Sequence, residues 1–108
     1  MNINERIEKT EKDIKDVFEK SIQVMLKKNR QRGDCWRSSG LQGQFVEIHS
    51  MYNRLRNLIW EIGNKMDNKD WKDQVANALE DLRNFTMLAE LCLDENNFKG
   101  DGFHNDKL

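Results

Sequence analysis

Asn77, Asp81 and Asn84 are spaced four and three residues apart, the interval that sets side chains along one stripe of an α-helix. One turn further the stripe reaches Leu88, so the polar triplet runs onto a face that becomes interior. Upstream, Glu47 and Arg54 lie two helical turns apart on a second stripe, beside an apolar face and near Gln44 and Met51. Two such helices facing each other bring Glu47 and Asp81 into one cleft. Converging carboxylate and amide oxygens are what a hard divalent cation such as Mg²⁺ requires. The same spacing also suits carboxylates at the solvated rim of an apolar stripe, the commoner arrangement in a charge-rich chain.

A second concentration of chemistry lies between the first two apolar segments, in the run KKNRQRGDCWRSSG (27–40). Lys28, Arg37, two serines and glycine backbone can cradle phosphate oxygens, and Trp36 can stack on a base or wall a pocket. The competing reading is structural: Trp36 plugs the end of a helical bundle and the cations cap a helix.

These residues need helices to position them, and the apolar periodicity predicts three. The first runs from about 4 to 29, with Ile7, Ile14, Val17, Phe18, Ile22, Met25 and Leu26 returning every three or four positions, and ends where basic residues suit the helix dipole and Gly33 can stop the helix. The second runs from about 41 to 62 on Leu41, Phe45, Ile48, Tyr52, Leu55, Ile59 and Ile62, closed by Gly63 and Asn64. The third starts near Asp70 as N-cap and carries Trp71, Val75, Leu79, Leu82, Thr86, Ala89 and Leu93 on one face. From Phe85 onward Leu88, Leu91 and Cys92 extend its apolar surface around most of the circumference, which predicts burial on more than one side. A second chain would provide it, as a homodimer or homotetramer; the alternative is that the first helix and the tail wrap the third. The period is lost after Asp94, which predicts one all-α domain over 1–95 and a mobile tail over 96–108.

Composition narrows the function further. The chain of 108 residues is the size of one domain, and its 34% charged residues nearly cancel to a net charge of -1. No general field draws a nucleic-acid polymer, so phosphate contacts must come from a local cluster. Cys35 and Cys92 form no CxxC pair, and His49 and His104 are far apart, so no zinc site can be written. Free thiols, a charged N-terminus and the lack of any apolar run near the ~20 residues that cross a bilayer predict a cytoplasmic protein without a membrane partner.

The run KKNRQRGDCWRSSGLQGQFVEIHSMYNRLRNL (27–58) resembles a segment of small MazG-like proteins. In them a lysine-asparagine, an aspartate-tyrosine-glycine turn, a serine-tryptophan-arginine and a glycine precede a helix ending in arginine-leucine. Downstream, Leu79-Glu80-Asp81-Leu82-Arg83-Asn84-Phe85 is similar to their aspartate-leucine-x-asparagine-tyrosine signature, with matching order and separation. The likeness covers roughly Lys27 to Leu93 and points to the all-α nucleoside triphosphate pyrophosphatase superfamily, in particular small phage and bacterial members associated with nucleotide modification. It implies a three-helix unit that assembles into a helical-bundle oligomer and cleaves free nucleotides with Mg²⁺ held by carboxylates on two helices. Asp81 then holds metal, Asn84 is its companion, and Gly33, Trp36, Arg37 and Arg54 match the loop and helix positions; Glu47 joins through the helical geometry. On this reading Glu47 and Asp81 are catalytic and metal-binding, Lys28, Arg37 and Arg54 contact phosphate, Asn77 and Asn84 orient ligand or water, and Trp36 borders the base.

The sequence also departs from that pattern. Asn77 stands where relatives often carry a carboxylate, Ser50-Met51 where many carry aspartate-lysine, and Gln44 where the first glutamate of a paired ExxE would be. Glu80, Glu61 and Asp73 are candidate substitutes. A thinned carboxylate set motivates an alternative function, a protein that captures a nucleotide or nucleotide-derived signal without hydrolysing it, and a third, a purely structural helical adaptor.

Overall fold

The computed structural model describes residues 1–101 and is all-α, with three long helices and no strand among those residues. Helix α1 spans Ile3–Gln31, α2 Gly40–Arg56 and α3 Lys69–Asp94. A short 3₁₀ turn, Cys35–Ser38, joins the first two. A π turn, Asn57–Glu61, extends the second, with Ile62 N–H donating to the Asn57 carbonyl at 2.9 Å. No helix among the described residues is long and apolar enough to cross a membrane.

Local chemistry sets the helix ends. The Asn2 side chain accepts from Glu5 N–H at 2.9 Å and donates to the Glu5 carboxylate at 2.7 Å, a reciprocal cap with a negative charge at the positive end of the dipole. At the other end of α1, Gly33 and Asp34 both take left-handed conformations, φ 63° and 59°. Their N–H groups return to the Arg30 and Asn29 carbonyls, a Schellman closure that bears out the stop expected at Gly33. Helix α3 is capped by Asn68, which accepts from Trp71 N–H at 3.0 Å; the expected cap, Asp70, lies inside the first turn. Asn96, at φ 56°, closes α3 in the same way that Gly33 closes α1.

Helices α2 and α3 form an antiparallel hairpin. At one end the Trp71 indole N–H donates to the Leu58 carbonyl at 2.9 Å; at the other the segment after α3 returns to the start of α2. The packed faces are rotated from the expected stripes. On α2 and the π turn that extends it the covered residues recur as Gln44, Ile48, Met51, Leu55 and Leu58, and on α3 as Trp71, Val75, Ala78, Leu82, Phe85, Ala89 and Cys92. Both sets follow a regular four-three spacing, the repeat that keeps two helices in register. Phe45, Tyr52 and Ile59 of the expected α2 stripe, and Leu79, Thr86 and Leu93 of the α3 stripe, lie on the exposed side.

Part of the expected tail is docked. Leu41 and Gln42, whose N–H groups a helix start leaves without an intrahelical partner, donate to the Asn97 and Phe98 carbonyls at 2.9 and 3.0 Å. Asp101 N–H and the Asn97 amide donate to the Arg37 carbonyl at 3.2 and 2.7 Å. The approach requires glycine at Gly40, φ 65°, where a Cβ would overlap the backbone of Phe98–Gly100. Residues 102–108 of the expected tail lie outside the described residues.

Helix α1 packs on this hairpin only through its C-terminal third. Residues 1–20 are exposed, and coverage begins at Ser21, whose hydroxyl accepts from Arg83 Nε at 3.1 Å. The overhang makes the molecule elongated: its radius of gyration is 16.9 Å, against about 13 Å for a compact domain of this length.

Candidate functional site

Where the end of α1, the 3₁₀ turn, the start of α2 and the second half of α3 meet, they enclose a cavity of about 470 Å³, within the range of small-molecule sites. Helix α1 contributes Met25, Lys28, Asn29 and Arg32, whose three-one-three spacing lines one helical face. The turn contributes Cys35, Trp36 and two serines; α2 supplies Gln44 and Glu47; α3 supplies Asp81, Asn84, Phe85 and Leu88. Apolar walls of Met25, Trp36, Phe85 and Leu88 thus surround a mixed set of cations, carboxylates and amides.

Five of the eight expected site residues therefore share one cavity: Lys28, Trp36, Glu47, Asp81 and Asn84. Lys28 Nζ lies 3.5 Å from Asp81 Oδ1, so the cation and the carboxylate already balance each other across α1 and α3. The other three lie elsewhere. Asn77 and Arg54 are exposed on α3 and α2, and neither lines the cavity.

Arg37 has a different task from the phosphate contact expected of it. Its guanidinium donates through Nε to both Glu95 oxygens at 3.0 and 3.1 Å, pairs with Asp34, and lies 4.3 Å from the centre of the Trp36 ring. The Glu95 hydrogen bond, helped by both acidic charges, holds the guanidinium pKa above its ordinary value. Arg37 thereby ties the turn to the end of α3 and fixes one side of Trp36.

Asp34 completes the clamp by accepting from Trp36 Nε1 at 2.7 Å and from the Asn29 amide at 3.1 Å. Desolvation alone would push its carboxyl up, but these hydrogen bonds and the Arg37 charge outweigh it and hold the pKa below the ordinary carboxylate value. Trp36 is buried, so it forms a wall of the cavity while also plugging this end of the fold. The two readings of that residue are compatible.

Gln44, Asn29 and Arg32 are functional candidates that sequence reasoning left aside. The signal was present in part: Gln44 precedes Glu47 by one short helical step, and Lys28, Asn29 and Arg32 share a face. Which face of α1 turns inward depends on its crossing with α3, however. Gln44 is buried, and its Nε2 makes a long 3.4 Å contact with the Trp36 carbonyl. Both cysteines are free; burial raises the Cys92 thiol pKa, with Glu95 adding to the rise and Arg37 opposing it.

Among the described residues no group of three or more histidines, cysteines and acids is placed to hold a metal ion. Glu80, Glu61 and Asp73, considered as substitutes, do not line the cavity. Two carboxylates nevertheless suit Mg²⁺ arriving with a polyphosphate, because this ion is commonly held by one or two carboxylates together with substrate phosphates. Glu47 and Asp81 are the carboxylates that line the cavity, and they do not form an all-protein cage. No protein-family model, curated protein or solved structure matches this chain.

Proposed function

We propose that the chain is a MazG-like protein that binds a free ribo- or deoxynucleotide in this cavity and hydrolyses its polyphosphate with Mg²⁺. The observation that carries the reading is the convergence of Lys28 and Arg32, Glu47 and Asp81, and the Trp36 and Phe85 rings on one cavity. A nucleotide is a ligand with an anionic end and a flat aromatic end, and the lining offers groups for each. Lys28 and Arg32 would take the phosphates, drawing Lys28 away from Asp81. Glu47 and Asp81 would hold the cation, which when bound neutralises polyphosphate charge and polarises the attacking water. Water adds to phosphorus as the phosphoanhydride bond breaks, and for a triphosphate cut between the α and β phosphates the products are a monophosphate and pyrophosphate.

Capture without turnover is the second reading, favoured by the neutral Gln44 beside Glu47 and by the Lys28–Asp81 pair, both of which lower the negative charge available to a cation. One experiment decides: a panel of ribo- and deoxynucleotides is incubated with the protein and Mg²⁺, and products and retained ligand are separated after denaturation. Released pyrophosphate or phosphate supports hydrolysis; ligand recovered unchanged supports capture. Neither outcome across the panel would leave the structural adaptor.

Assembly belongs to the same proposal. Phe18 is 51% and Phe45 66% exposed, and a second copy would cover such surfaces as a homodimer or homotetramer.

A further inference from the structure

The overhanging part of α1 carries a pattern that its own fold does not use. Ile3, Ile7, Thr10, Ile14 and Val17 follow one another at intervals of four and three, the spacing of a coiled-coil seam. Carried on, the same row reaches Ser21 and Lys28, which bond to Arg83 and Asp81 of α3, with the half-buried Val24 between them. The seam is thus one continuous face, occupied by the hairpin from Ser21 onward and bare before it. Ile7, Ile14 and Val17 are each about half exposed. An amphipathic helix draws most of its stability from packing such a face, and residues 1–20 of this one, roughly 30 Å of helix at 1.5 Å per residue, are exposed.

We infer that the bare seams of two copies pair antiparallel as a short coiled coil, in which Ile3 and Ile7 meet the partner's Ile14 and the partner's Thr10. This rests on the assembly proposed above and names its interface. Charge selects the alignment. Arg6, Asp13 and Lys20 flank the seam on one side at seven-residue intervals, and antiparallel pairing lays that row against its own copy, where such charges set partner and orientation. With Ile7 level with the partner's Thr10, Arg6 faces the partner's Asp13 and Asp13 faces the partner's Arg6, two attractive pairs by symmetry. Asp13 holds Lys9 through one carboxylate oxygen, which leaves the other for the partner. Sliding the helices so that Ile7 meets the partner's Val17 sets Asp13 against Asp13 and Arg6 against Lys20, and these repel. A parallel pair also offers Arg6 a carboxylate, the partner's Glu11. It places β-branched Ile3 and Val17, however, where two-stranded parallel coils favour leucine, and it crowds both hairpins at one end. Antiparallel pairing puts the hairpins at opposite ends, and each cavity stays complete within one chain.

The test is sedimentation equilibrium of the full chain, with circular dichroism to follow helix content. Ile7→Asp should raise the dissociation constant about tenfold or more, because it places a charge in the seam. Arg6→Glu should raise it about tenfold, since two pairs turn from attraction to repulsion. Adding Asp13→Arg to Arg6→Glu should restore the starting value, whereas adding Glu11→Arg should not. Recovery through Glu11→Arg means parallel pairing and overturns the inference, as does failure of Asp13→Arg to restore assembly. Assembly that neither Ile7→Asp nor Arg6→Glu weakens also overturns it and assigns the interface to another surface, such as that of Phe45 or Leu91. An effect of Ile7→Asp without one of Arg6→Glu overturns the alignment. If the unaltered protein is monomeric, the inference and the assembly proposal fall together. Should Ile7→Asp lose helix content, the charge exchange, which leaves the seam untouched, decides.

Discussion

Asp34 concentrates the stabilising chemistry of the loop in one side chain. It adopts a left-handed backbone at φ 59°, accepts from Trp36 and Asn29, and pairs with Arg37. Its folded pKa lies below its ordinary value, so its contribution is full above the ordinary carboxylate range and is lost as pH falls through the lowered folded value. Asp34→Asn should therefore reduce stability on the order of 1 kcal/mol at neutral pH, with the difference from the unaltered protein vanishing in strong acid. Urea denaturation at a series of pH values measures this, and a pH-independent difference would deny the carboxylate its role. The cavity carboxylates make a different prediction. The Lys28–Asp81 pair is partly exposed, so Asp81→Asn should alter stability by less than about 1 kcal/mol. If Asp81 holds the cation, the same change should lower Mg²⁺-dependent turnover about a hundredfold with helicity intact. Equal loss of fold and function would make it a structural residue.

Between elements, the segment after α3 docks on the first turn of α2. Gly40 and Gly100 face each other there, both at positive φ, and the carbonyls of Asn97 and Phe98 serve the N–H groups that open α2. A methyl group at Gly40 meets both a disfavoured conformation and the opposing backbone. Gly40→Ala should cost about 2 kcal/mol or more, and the Leu41 and Gln42 amide protons should exchange faster with solvent. Unchanged protection of those two amides would show that the docking contributes nothing. The loss of apolar period after Asp94 gave no warning of this contact, because it runs through backbone carbonyls and one asparagine side chain, which have no periodicity.

For the molecule as a whole, the dominant feature is the uncovered length of α1. Its first twenty residues project from the hairpin with Ile7, Ile14, Val17 and Phe18 exposed. Ion pairs such as Lys9–Asp13 at 2.6 Å support the helix, but fully exposed pairs of this kind add little. Trp60, 78% exposed, and Leu91 extend the uncovered apolar surface to α2's end and α3. On the proposed assembly a second copy would cover this surface, and at micromolar concentration the protein should sediment as a dimer or larger. Ile14→Glu with Phe18→Glu, or Leu91→Glu alone, should shift it towards monomer, because each places a charge in a desolvated contact. A stable monomer with a cooperative thermal transition would sink the assembly proposal.

Three helices, their approximate limits and the stop at Gly33 were legible in the sequence, because they depend on local periodicity and on backbone preferences that act within a few residues. Helical spacing also set Glu47 and Asp81 on helices that could face one cleft, and both line one cavity with Lys28, Trp36 and Asn84. The inward faces of α2 and α3 were not legible. Leu41, Phe45, Ile48, Tyr52, Leu55, Ile59 and Ile62 make an apolar stripe wider than one partner helix can cover, and only packing against α3 decided that Ile48 and Leu55 turn inward while Phe45 and Tyr52 stay exposed. The same rotation buried Gln44 and left Asn77 outside the cavity. Local spacing specifies which residues travel together on a helix, whereas the side that meets another helix is set by contacts between residues far apart in the chain.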